Sequence, residues 1–193
     1  MLRLAISNGA ANDHRTPGNR GGIESLGTLT LTDCIISVCT TLGGDGGGLF
    51  NWGGTMSISR CTISNNFAHG SSSDGGIGGS GGGIKNSGGS VIITSSTVSG
   101  NSALMTDLIG DQQTTGVVVV VSNFGSMIIK NCTIGGNLVG AIGLVTMYGG
   151  GVWNYGDLEI TRVSSCIILA QAELAHLGVE FMPLRLPQRT AVS

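Results

Sequence analysis

Residues 47–66 read GGLFNWGGTMSISRCTISNN. The glycine-rich start has the look of a phosphate-binding loop. Such a loop needs a Lys-Ser/Thr pair after its last glycine and a helix whose N-terminus faces the phosphate. Here Gly53-Gly54 lead instead into Thr55-Met56-Ser57-Ile58-Ser59, with apolar residues at every second position. That is the period of a strand.

The stretch also recurs, which excludes a unique loop. Its first half returns as GGIESLG from Gly21, GGIKNSGG from Gly82, VVVSNFG from Val119 and GGVWNYG from Gly150. Its second half returns as TLTLTDCIIS, SVIITSSTVS, SMIIKNCTIG and DLEITRVSS, each directly after its partner. The shared pattern is Gly-Gly-Ile-x-Asn-x-Gly-x-Leu-x-Ile-x-x-Cys-Thr-Ile-Ser-x-Asn. Its first asparagine slot holds Ser25, Asn51, Asn86, Asn123 and Asn154, at unequal intervals. A repeat of constant motif length joined by segments of varying length is the signature of a solenoid with loops inserted at one corner. The glycines then belong to a tight corner of each coil, where backbone passes close to backbone.

Two apolar columns run through the copies. One is Leu29, Met56, Val91, Met127 and Leu158; the other is Leu31, Ile58, Ile93, Ile129 and Ile160. Between them lie Thr30, Ser57, Ile92, Ile128 and Glu159, a mixed set that suits an outer face. Stacked as parallel strands, like residues sit about 4.8 Å apart along the axis, so each column becomes a continuous core. The expected fold is all-β, a right-handed single-stranded parallel β-helix of about five rungs over residues 1–169. Residues 170–193 form a tail of different style, either a short helical cap built on AQAELAHLG or a segment foreign to the repeat.

Composition agrees with a packed solenoid. Of 193 residues 35 are glycine and 3 proline, with 40% hydrophobic and 10% charged. Disorder goes with high charge, and collagen with a three-residue glycine period and abundant proline. A net charge of -2 excludes a general electrostatic grip on nucleic acid or anionic lipid. No apolar stretch is long enough to span a bilayer, and the start shows no signal-peptide h-region. Val117 to Val121 is an uncharged β-prone run that needs pairing on both sides to be safe.

The copies resemble the GGGIxN…LTIxNSTISGN repeats of right-handed parallel β-helix surface proteins, among them autotransporter passengers and the polymorphic outer-membrane-protein type. The likeness covers roughly residues 5 to 161. It implies a module outside the cell or on its surface, used as stalk or adhesin, a monomer or part of a longer solenoid. Its partners would be surface glycans or proteins of a host or neighbouring cell. The same architecture also carries pectin lyase-like enzymes, so fold alone does not assign function.

Candidate sites follow from the columns. Asn51, Asn86, Asn123 and Asn154, and separately Asn66, Asn101 and Asn137, suit inward amide ladders. Cys34, Cys61 and Cys132 share a slot with Ser96 and Val163, which marks a small inward packing position. A disulfide between neighbouring coils is the alternative, but stacked side chains point the same way. No Cys-x-x-Cys or His/Cys cluster exists for zinc, and no cofactor or metal is expected. The aromatics Phe50 and Trp153 precede the asparagine slot, and Trp52, Phe124 and Tyr155 follow it. With asparagine inward, all five point outward. Rings on a surface column suit the flat faces of sugars or a protein partner; the alternative is that they shield the glycine corner or pack under a neighbouring loop.

An enzyme reading needs clustered carboxylates. The resemblance to polygalacturonases is confined to His69-Gly70 and SSSDGG from Ser71, packed into one loop. Asp157 and Glu159 share one strand and face Ser126 and Ile128, whereas inverting hydrolysis needs two opposed carboxyl groups. Asp45, Asp107 and Asp111 lie in variable loops. A Thr-x-Thr face suited to ice starts at Thr28, Thr30 and Thr32 and does not persist. GGDGGG from Gly43 lacks the tandem spacing of a calcium-binding repeat.

Overall fold

The computed structural model describes residues 4–11, 21–71, 79–106, 120–142, 151–164 and 168–170. These form four parallel sheets, which we number in the order the chain visits them within one coil. Sheet I contains Ile23–Ser25, Leu49–Trp52, Ile84–Ser87, Val121–Asn123, Val152–Asn154 and Ile168–Ala170. Sheet II contains Thr28–Thr32, Thr55–Ser59, Ser90–Thr94, Ser126–Lys130 and Asp157–Thr161. Sheet III contains Ala5–Ser7, Ile35–Ser37, Thr62–Ser64, Thr97–Ser99 and Thr133–Gly135. Sheet IV contains Ala10–Ala11, Thr40–Leu42, Phe67–Ser71, Ser102–Thr106 and Leu138–Ile142. The chain is a parallel β-solenoid of about five coils. Among the described residues there is no helix, and so none long and apolar enough to cross a membrane. The helical cap expected over AQAELAHLG lies outside the described residues.

The register is that of the aligned repeat. Leu29 pairs with Met56, Met56 with Val91, Val91 with Met127 and Met127 with Leu158. The second column, from Leu31 to Ile160, pairs in the same way. Both columns lie inside: Met56, Ile58, Val91, Ile93 and Ile129 are fully buried. Sheet I adds Leu49, Ile84, Val121 and Val152, and sheet III adds Ile36, Ile63, Val98 and Ile134. One coil thus contributes Leu49, Met56, Ile58, Cys61, Ile63 and Ala68 to a single core. Val120 and Val121 are buried; the rest of the valine run, 117–119, lies outside the described residues.

Two features differ from the expectation. The Gly-Gly-Ile-x-Asn stretch is a strand in its own right, not only a corner, and a further strand follows the second asparagine before the variable segment. Each coil therefore has four strands. The variable segments, which include 12–20, 72–78, 107–119 and 143–150, all connect sheet IV to sheet I.

The corners explain the variable letters in the repeat. Asp33, Arg60, Ser95, Asn131 and Arg162 turn sheet II into sheet III with φ between 49° and 55°. Asn8, Val38, Asn65, Gly100 and Gly136 turn sheet III into sheet IV with φ between 55° and 64°. The left-handed region suits Gly and Asn and strains a β-branched residue such as Val38. Between sheets I and II the coils pack too closely for a side chain: a Cβ on Gly125 would lie 2.2 Å from the Gly89 carbonyl oxygen.

Candidate binding face

Inside sheet I the asparagines form the expected ladder. The Asn51 Nδ2 donates to Asn86 Oδ1 at 2.8 Å, Asn86 to Asn123 at 2.7 Å and Asn123 to Asn154 at 2.7 Å. Each amide also donates to a carbonyl at the adjoining glycine corner, such as Asn51 to Gly54 O at 2.9 Å. Ser25 occupies the first place in the column, and the Asn51 Oδ1 is buried without a donor. A second ladder runs from Asn66 to Asn101 at 2.9 Å and on to Asn137 at 3.2 Å. Cys39 holds this slot in the coil before, its backbone N–H donating to Asn66 Oδ1 at 3.0 Å. These ladders tie neighbouring coils at two places, one inside sheet I and one between sheets III and IV.

Cys34, Cys61 and Cys132 are buried thiols without disulfides, each donating to the carbonyl two residues back at 3.2 Å. Ser96 copies the arrangement, its hydroxyl donating to Thr94 O at 2.7 Å. Burial pushes the Cys61 and Cys132 thiols above their ordinary range, which keeps them protonated and unreactive.

Outside sheet I two columns of side chains alternate with the inward ones. The column after the asparagine slot holds Leu26, Trp52, Ser87, Phe124 and Tyr155. Trp52 is 51% exposed, Phe124 39%, Tyr155 62% and Leu26 71%. Leu26 joins the three aromatics named from the sequence, because it follows Ser25 in the asparagine slot. The column before the slot holds Glu24, Phe50, Lys85, Ser122 and Trp153.

In this second column the rings fit the shielding alternative. Phe50 and Trp153 leave the solenoid core as alternation requires, yet they are only 2% and 3% exposed. At Phe50 and Lys85 the cover is backbone, for the chain entering sheet I folds directly across them. Gly46 (φ 66°) and Gly81 (φ 72°) make that passage; a Cβ on either would lie 2.7 Å from the Cβ of Phe50 or Lys85. Phe50 and Trp153 therefore back the exposed rings. Phe50 lies 5.7 Å from Trp52. Trp153 lies 4.9 Å from Phe124 and 6.1 Å from Tyr155, and Phe124 and Tyr155 are 5.9 Å apart.

Lys85 is the cation within this layer. Its Nζ lies 3.1 Å from Asp45 Oδ2 and 4.8 Å above the Phe124 ring, with the side chain 8% exposed. Asp45 Oδ1 accepts the Ser80 N–H at 2.9 Å, so one carboxylate joins two glycine-rich segments to the sheet. Asp45 was named from the sequence only as a loop carboxylate, and Lys85 did not stand out, since nothing in the repeat aligns them.

The candidate carboxylates are scattered. Asp157 and Glu159 are exposed on sheet II, with Glu159 held by Lys130 at 2.7 Å. Asp157 pairs in register with Ser126, so no acid stands opposite it. His69 stacks on Phe67 at 6.1 Å. Asp107, Asp111 and the aspartate of SSSDGG lie outside the described residues. Among the described residues no group of His, Cys, Asp and Glu is placed to hold a metal ion. Compared with known protein families, curated proteins and solved structures, the chain matches none.

Proposed function

We propose that this chain is a non-enzymatic β-helix module, a stalk or adhesin at a cell surface or outside the cell, that holds glycans on the face carrying Trp52, Phe124 and Tyr155. The observation that carries this reading is the exposed column itself. Three aromatic side chains stand in one line on a sheet locked from behind by the asparagine ladder. Exposed rings in a row are unfavourable in water unless covered, and a sugar face covers them by stacking. A protein partner could cover the same column. The surface location comes from the repeat resemblance alone.

The test is retention of the purified chain on immobilised polysaccharides, with the supernatant assayed for released sugar. The expected result is retention without release. Release of oligosaccharide would favour the competing reading, a polysaccharide lyase or hydrolase related to the pectin lyase-like enzymes, and would direct attention to the loop aspartates. An outcome with no retention and no release would overturn glycan adhesion.

A further inference from the structure

We infer that the ligand of this face is a single, uncharged, β-1,4-linked pyranose chain lying parallel to the solenoid axis, about one sugar to each coil; this rests on the glycan-binding reading above. Spacing is the first reason. The column repeats once per coil, about 4.8 Å, close to the length of one pyranose unit in an extended β-1,4-linked chain. An α-1,4-linked chain coils away from such a line. Trp52 and Phe124 are separated by the coil of Ser87. In an extended β-1,4 chain alternate sugars present the same face, so Trp52 and Phe124 meet equivalent faces while Ser87 stands under the sugar between them. Tyr155 serves the next.

Ring tilt supplies the second reason. Phe124 and Tyr155 are inclined at 40° to one another. One flat crystalline surface cannot lie against both, whereas a single chain follows them by twisting about its linkages. Charge is the third. Lys85 is the basic residue on the described part of sheet I, and it is buried against Asp45. Lys130 on the next sheet is held by Glu159, and Asp157 beside the end of the column is an exposed acid. Among the described residues the face thus offers an acidic sugar no cation, and the neutral chain is its electrostatic complement.

The experiment is calorimetric titration of the whole chain with soluble oligosaccharides of two to six sugars: β-1,4-glucose, β-1,4-N-acetylglucosamine, α-1,4-glucose and α-1,4-galacturonate. Retention on a crystalline β-1,4-glucan is measured alongside. The expected result is binding of an uncharged β-1,4 series, with affinity rising from two to four sugars, the span from Trp52 to Tyr155, and levelling by five. The α-linked and acidic series should bind at least about tenfold more weakly, a difference of roughly 1.4 kcal/mol. Trp52→Ala should lose most of the affinity and Trp52→Phe only part, with unchanged circular dichroism in both. Preference for the acidic or α-linked series, or strong retention on the crystalline polymer, would overturn the inference and leave the column as a binding face. Absence of binding in every arm would overturn both.

Discussion

Single residues in this protein are judged against their column. Ser25 stands before Asn51 in its ladder, and it leaves the Asn51 Oδ1 buried without a donor. Ser25→Asn supplies an amide that can donate to it, as Asn51 does to Asn86. Satisfying a buried acceptor is worth about 1 kcal/mol, so the denaturation midpoint should rise. Val38 offers a second case: at φ 57° it is a β-branched residue where the other coils use Asn8, Asn65, Gly100 and Gly136. Its side chain is half exposed, so little packing is lost on replacement. Val38→Asn should stabilise by about 1 kcal/mol through relief of left-handed strain, measured by urea denaturation. Both changes were within reach of the aligned sequence, though only the second needed the dihedral angle to explain it.

At the scale of the element, the sheet II columns were legible because alternation over five residues distinguishes inside from outside. The strands of sheets I and III have three or four residues and sheet IV begins where the repeat stops. Such short runs gain their stability from neighbouring coils and carry little signal of their own. The burial of Phe50 and Lys85 was illegible for a related reason. Alternation predicts which face a side chain leaves by, but not that glycine backbone will cross that face. The Lys85–Asp45 pair is what holds this crossing down, and it gives a prediction at this scale. Asp45→Asn leaves a buried ammonium without its partner and should cost about 3 kcal/mol. The double change Asp45→Asn/Lys85→Met should recover much of that loss in chemical denaturation. If the pair were incidental, the single variant would match the parent.

For the whole molecule, stacking coils turns local repeats into properties that run its length. The thiol column is one. Cys61 and Cys132 sit above their ordinary range because burial disfavours the thiolate. Unfolded thiols release their protons near pH 8.5, while these keep theirs, so above that pH the unfolded state binds fewer protons. Stability should be level below the ordinary thiol range and fall as pH rises through it toward the higher folded values. Cys61→Ser, which copies Ser96, should flatten the fall in denaturation midpoints measured across that range.

The ring column is the other such property, and it bears on function. Its three aromatics were found from the repeat, and Leu26 extends it to the first coil. The retreat of Phe50 and Trp153 narrows the contact surface to the exposed line. The most direct measurement compares three proteins on the same immobilised polysaccharides: the parent chain, Trp52→Ala/Tyr155→Ala, and Leu138→Ala. Leu138 is 68% exposed on sheet IV, off the column, and controls for general loss of apolar surface. Retention of the parent and Leu138→Ala, with the double variant washed through, is the predicted result. Equal retention of all three proteins would contradict it and place any glycan contact somewhere other than this face.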